Sequence, residues 1–164
     1  MLKQLPGHFK VPSQKVEEPP FLFTYNEKVA KATFNRPQAL NSFNHKMMKL
    51  LQNEVPKWNA KKDLQVVIFN NTGGKSFCAG GDLKPLYYAS VKSDADFTSS
   101  YFTGLFRVSH SVATMKPIQI ALWDGMVIGI GGGLTLNAPI KVATENTKFS
   151  MPGTLLFPFK SLIE

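Results

Sequence analysis

The chain predicts an α/β domain, and three observations carry that expectation. Two short apolar runs, 64–70 (LQVVIFN) and 118–123 (IQIALW), have the length and residue types of buried strands. Two longer segments, 44–58 and 96–115, repeat apolar residues at helical spacing. Strands and helices alternate along the chain, as in a sheet built through right-handed crossovers. With 164 residues, 43% of them hydrophobic, the chain can hold one domain with a real core and little more.

The elements follow in order. Residues 1–20 contain Pro6, Pro12, Pro19 and Pro20 and show no apolar period, so they read as an extended arm. Runs 21–25 and 29–34, split at Asn26-Glu27, read as a hairpin. Met47, Leu51, Val55 and Trp58 mark one face of a first helix, which Pro56 should kink or end. The strand at 64–70 leads into a glycine-rich loop, NTGGKSFCAGGD. Phe97, Tyr101, Leu105, Val108, Val112 and Met115 form the stripe of a second helix. After the strand at 118–123, a glycine-dense turn opens a short helix through Leu134 and Leu136, and two short strands, 140–143 and 148–151, close the interpretable part. This divides the chain into an arm (1–20), a domain (21–158) and a short tail (159–164).

Composition excludes several classes. No run approaches the about 20 apolar residues of a membrane span. The first ten residues lack the apolar block of a secretory signal. They are basic, and no acid precedes Glu17, as in an organelle import segment, but they contain no arginine, and Pro6 and Gly7 oppose an amphipathic helix. Cys78 is the single cysteine, which excludes an internal disulfide and suits a reducing compartment. The net charge of +8 is almost all lysine, spread along the chain without aromatic interleaving. A solvated lysine surface is the better reading, and no nucleic-acid partner is expected.

Three segments carry a more specific signal. They are 33–58 (TFNRPQALNSFNHKMMKLLQNEVPKW), 75–83 (KSFCAGGDL) and 116–152, from KPIQIALWDG to VATENTKFSMP. Together they resemble the crotonase (enoyl-CoA hydratase/isomerase) family, in register over about 21–158. Lys57-Trp58 is similar to the 3-hydroxyisobutyryl-CoA hydrolase branch. The resemblance implies a crotonase-like ββα spiral core, here C-terminally truncated.

It also implies a chemistry. Reaction at a thioester carbonyl places negative charge on oxygen, which two backbone N–H groups in a water-poor pocket stabilise by about 2.7–4 kcal/mol each. By resemblance, Gly81 supplies the first donor, and Ala79, Gly80, Asp82 and Leu83 shape the acyl-CoA channel. The second donor falls on Ile130, within Gly129-Ile130-Gly131 where the family has three glycines; a β-branched side chain then crowds the donor. The PIQIALWDG stretch before it is one residue longer than in typical hydrolases. Family carboxylate positions match Gly133, Gly153 and Phe159, so none is intact. The helix before Pro117 offers Ser99 and Ser100 where hydrolases often carry another acid. A positioned carboxylate is worth roughly 10²–10⁴-fold, and Asp82, Asp124 and Glu145 are replacements only in principle.

Bland readings stand beside these. Gly80-Gly81-Asp82 suits any tight turn, and Asp82 suits a helix cap. Cys78 reads as a small buried residue, since no histidine lies near it in sequence. His8, His45 and His110 match no family role, and no metal set is visible. Gly129–Gly133 fails the dinucleotide fingerprint, because a third glycine is needed where Leu134 stands.

The expectation is a catalytically degenerate member acting as an accessory subunit of a larger, mitochondrial assembly (otherwise cytoplasmic). It needs no cofactor, with a coenzyme A thioester as its only candidate ligand. Other protein chains are expected to meet it through residues 1–20 and 150–164, where Leu155-Leu156-Phe157-Pro158-Phe159 is strongly apolar. The alternative is an active acyl-CoA hydrolase or hydratase completed by a partner chain.

Overall fold

A computed structural model describes residues 18–152. The arm up to residue 17, the tail, Gly153 and Phe159 lie outside the described residues.

Strands β1 (Phe21–Asn26) and β2 (Val29–Phe34) form the expected hairpin. Its turn is Glu27-Lys28 rather than Asn26-Glu27, because Asn26 pairs with Val29 and Glu27 takes the positive φ of 46°. After a 3₁₀ turn at Pro37–Ala39 comes α1 (His45–Ala60), capped by Asn44, whose side chain accepts the Met47 N–H. Met47, Leu51, Val55 and Trp58 are fully buried, as their spacing predicts. Pro56 does not end this helix. An interior proline costs about 3 kcal/mol. Burying the Val55 and Trp58 side chains on either side stabilises by an amount of the same order, and the helix runs on to Ala60.

The predicted strands and long helix appear as β3 (Val66–Asn71), α3 (Ala95–Ala113) and β5 (Ile118–Trp123), with α4 (Ile130–Thr135), β7 (Ile140–Ala143) and β8 (Lys148–Ser150) following. Three short elements have no counterpart in the sequence reading: β4 (Ser76–Cys78) and β6 (Met126–Ile128), inside the expected glycine-rich loop and turn, and α2 (Leu83–Val91), in a stretch given no element. Strands β4 and β6 lie inside glycine-rich stretches that read as loop and turn, and α2 buries only Ala89, so it has no apolar stripe facing the core.

One sheet runs in the order β1-β2-β3-β5-β7 and a smaller one in the order β4-β6-β8. Apart from the β1–β2 hairpin, all pairings are parallel. Each turn therefore adds one strand to each sheet (β3 then β4, β5 then β6, β7 then β8), which winds the chain into a spiral. The starts of α2 and α4 follow β4 and β6, so the two glycine turns come to lie side by side.

Candidate oxyanion site

The first turn is held by the loop before α1. Asn41 is fully buried; its side chain donates to the carbonyls of Thr72 (3.0 Å) and Ser76 (2.8 Å) and accepts the Arg36 N–H (2.7 Å). Leu40 and Asn41 both take left-handed backbone angles, φ 51° and 56°. Those bonds fix Phe43, whose N–H donates to Gly80 O and whose carbonyl accepts the Asp82 N–H, both at 2.8 Å. In a trans peptide the N–H points opposite the C=O. Since the Gly80 carbonyl faces Phe43, the Gly81 N–H is turned away from it. Gly80 itself needs a φ of +101°, which favours glycine.

The second turn leaves β6 at Gly129, whose N–H donates to Ser150 O at 3.0 Å, and Ile130 is the first residue of α4. A Cβ on Gly129 would stand 3.8 Å from the Gly80 Cα, so the predicted turns face one another. A Cβ on Gly131 would lie 2.7 Å from the Cys78 Cβ, which is why that position admits no side chain. Among the described residues, neither the Gly81 nor the Ile130 N–H donates a backbone hydrogen bond. Ile130 rests partly buried against the core, its Cδ1 3.6 Å from where a Cβ at Gly133 would be. An aliphatic side chain thus lies beside the position that the resemblance assigns to a carboxylate.

Of the candidate replacement acids, Asp82 and Asp124 are engaged in other contacts and Glu145 faces solvent. Asp82 pairs with Arg36 at 3.2 Å and caps α2 by accepting the Lys84 N–H. Arg36 also donates to Ser42 O at 2.6 Å, so this pair ties the loop before α1 to the glycine turn. Asp124 stands at the other end of β6 from Gly129 and accepts bonds from Thr144 (2.7 Å) and Asn146 (3.3 Å). Glu145 is exposed in the β7–β8 turn, and the Ser100 hydroxyl donates to Phe97 O. Ala79 donates its N–H to Leu40 O, while Leu83 is open to solvent. Cys78 is buried, and burial pushes its thiol up to about 12, so it remains protonated and unreactive.

Two residues at this site escaped the sequence reading. Arg36 is one of only two arginines and sits inside the NRPQALN segment, a signal that went unused. Tyr101 read as one residue of a core stripe, yet it is the only hydroxyl-bearing residue of that stripe, and its oxygen would lie 3.2 Å from a Cβ on Gly81.

A family model described as enoyl-CoA hydratase/isomerase matches residues 29–158. A mitochondrial 3-hydroxyisobutyryl-CoA hydrolase of Xenopus tropicalis is 33% identical over 159 residues, covering 96% of this chain and 41% of that protein. The small ribosomal subunit protein mS47 of Neurospora crassa is 30% identical over 135 residues, covering 81% and 27%. Among solved structures, an enoyl-CoA hydratase from Rhodobacter sphaeroides superposes with a TM-score of 0.77 at 26% identity, over 81% of this chain and 40% of its own. The chain therefore spans about two fifths or less of the length of these proteins. The matched segment contains both glycine turns and the elements that hold them, and the protein belongs to the enoyl-CoA hydratase/isomerase family.

Proposed function

We propose that this chain is a catalytically degenerate family member acting as a structural or accessory subunit of a larger mitochondrial assembly. The observation that carries the reading is the absence of a free acid beside the paired turns in the described residues. Gly133 stands at one family carboxylate position with Ile130 alongside, Asp82 is held by Arg36, and Asp124 lies at the far end of β6. A relative that is itself a ribosomal subunit protein, and others named as mitochondrial, support the assembly and the compartment. An exposed apolar strip on the sheet, described below, supports a protein partner. Contacts through residues 1–20 and 150–164 remain part of this proposal. The test has two parts. Purified chain should give background turnover of crotonyl-CoA and 3-hydroxyisobutyryl-CoA, and tagged chain in mitochondrial extract should sediment with a large complex. Turnover well above background, abolished by Asp124→Asn or Glu145→Gln, would overturn the first part. Sedimentation as a free 18.2 kDa protein would overturn the second.

One observation favours a second reading: the two turns still face each other with N–H groups that donate no backbone hydrogen bond among the described residues. On that reading the site binds the oxygen of an acyl thioester, and a partner chain supplies the missing acid for hydrolysis or hydration. Turnover that appears only when chain and partner are mixed would favour it.

A further inference from the structure

Tyr101 comes from α3, twenty residues beyond the first glycine turn, yet its hydroxyl lies against that turn. The side chain is 2% exposed. Its ring stacks on Phe97 with centroids 6.3 Å apart and meets Phe102 edge-on at 5.7 Å. The hydroxyl donates to Phe43 O at 3.4 Å, the same carbonyl that accepts the Asp82 N–H at 2.8 Å. Phe43 is also the residue whose N–H grips Gly80 O and so turns the Gly81 N–H outward. One hydroxyl from a distant helix thus bears on the residue that orients the first donor. Burial, with Asp82 and Cys78 close by, raises the Tyr101 pKa, so the group stays a protonated donor at neutral pH.

We propose that Tyr101 is a positioning residue for the Gly81 donor: by holding the Phe43 carbonyl, it keeps the Gly81 N–H directed at the oxygen of a bound thioester or carboxylate. This rests on the reading of Gly81 and Ile130 as a donor pair. Absence of a side chain at Gly81 is part of the device, since a Cβ there would press on the hydroxyl at 3.2 Å.

Tyr101→Phe removes the hydroxyl and keeps the ring contacts, while Phe102→Leu perturbs the ring contacts and keeps the hydroxyl. Amide hydrogen exchange followed by NMR reads the loop without any ligand. The Asp82 amide should exchange about two- to threefold faster in Tyr101→Phe, the lower worth of a neutral hydrogen bond as suits one of 3.4 Å, and at the wild-type rate in Phe102→Leu. Infrared difference spectra of acetyl-CoA labelled with ¹³C at the carbonyl read the donor directly. Wild-type protein should lower the carbonyl stretching frequency, and Tyr101→Phe should lose part of that shift while melting near the wild-type temperature. Equal exchange and equal carbonyl shift in wild type and Tyr101→Phe would overturn the proposal. Faster exchange in both variants would reduce Tyr101 to a packing residue and also overturn it. No carbonyl shift with the wild-type chain would remove the donor pair itself, with the exchange experiment still deciding whether Tyr101 holds the turn.

Discussion

Gly131 and Gly133 stand two residues apart on α4 and answer to different constraints. A Cβ at Gly131 would meet the Cys78 Cβ at 2.7 Å and its carbonyl oxygen at 2.9 Å, both on a neighbouring strand. At Gly133 the nearest neighbour is a flexible Ile130 methyl at 3.6 Å, an ordinary contact. Gly131→Ala is therefore expected to destabilise by about 1–3 kcal/mol through overpacking. Gly133→Ala should stabilise by roughly 0.5–1 kcal/mol, the helix penalty of glycine. Urea midpoints of the two variants check both signs, and a harmless Gly131→Ala would show that the turns are not pressed together. Tyr25 gives a pH-dependent case. Its hydroxyl donates to the buried Glu54 carboxylate and accepts the Trp58 indole N–H at 3.1 Å. Burial, and then the Glu54 bond, push its pKa up from 10.0 to about 12. A raised native pKa means the contribution is fully present below pH 10 and is lost as pH rises through about 12. The stability difference between wild type and Tyr25→Phe should hold up to pH 10 and shrink above it. A difference that is flat from pH 9 to 12 would rule this out.

Among the α-helices of the described residues, α2 buries the least. It buries only Ala89, and Leu83, Tyr87, Tyr88 and Val91 are all more than half exposed. What fixes its start is Asp82, through the cap to Lys84 and the pair with Arg36. Asp82→Asn keeps a capping oxygen and loses the charge pair, whereas Asp82→Ala loses both. The first should cost under about 1 kcal/mol, as a partly exposed ion pair does. The second should add about 1 kcal/mol more for the cap. Hydrogen exchange across 83–91 should quicken in that same order, and equal effects of the two variants would mean that the cap contributes nothing. Helix α1 offers the opposite case, with a strong anchor overriding an unfavourable residue. Pro56→Ala should raise stability by roughly 2–2.5 kcal/mol, the helix gain less the added entropy of the unfolded chain.

Across the whole molecule, the spiral presents an apolar edge. In the sheet, Ile120 pairs with Ile140 and Leu122 with Val142, so alternate residues of β5 and β7 share the face turned from the core. Ile118, Leu122, Ile140 and Val142 are 51%, 37%, 47% and 50% exposed. Edge strands are commonly protected by a lysine, and the one charge on β7, Lys141, is folded back onto the carbonyls of Leu136 and Ala138. Such a strip favours association. Ile140→Lys with Val142→Lys should lower concentration-dependent self-association in light scattering and weaken co-sedimentation with the complex, without changing the melting temperature by more than a few degrees. A double variant that still enters the complex at wild-type levels would place the contact elsewhere.

What the sequence determined by itself was everything written in local period and in ordered motifs. It yielded the fold class, the four long strands, both main helices, the family, and the identity of the glycine turns. Long elements with one buried face repeat their pattern often enough to be read. Strands β4 and β6 sit within glycine-rich stretches whose composition reads as loop, and α2 lacks a buried face to produce a stripe. Tertiary structure alone decided which residues meet. It set Gly129 against Gly80, engaged Asp82 with Arg36, carried α1 past Pro56, and brought Tyr101 from α3 onto Phe43. These pairings join residues 46, 49 and 58 positions apart, or set an unfavourable proline against the burial of its neighbours. Local sequence fixes what each segment prefers, but only the closed spiral brings distant groups within hydrogen-bonding range.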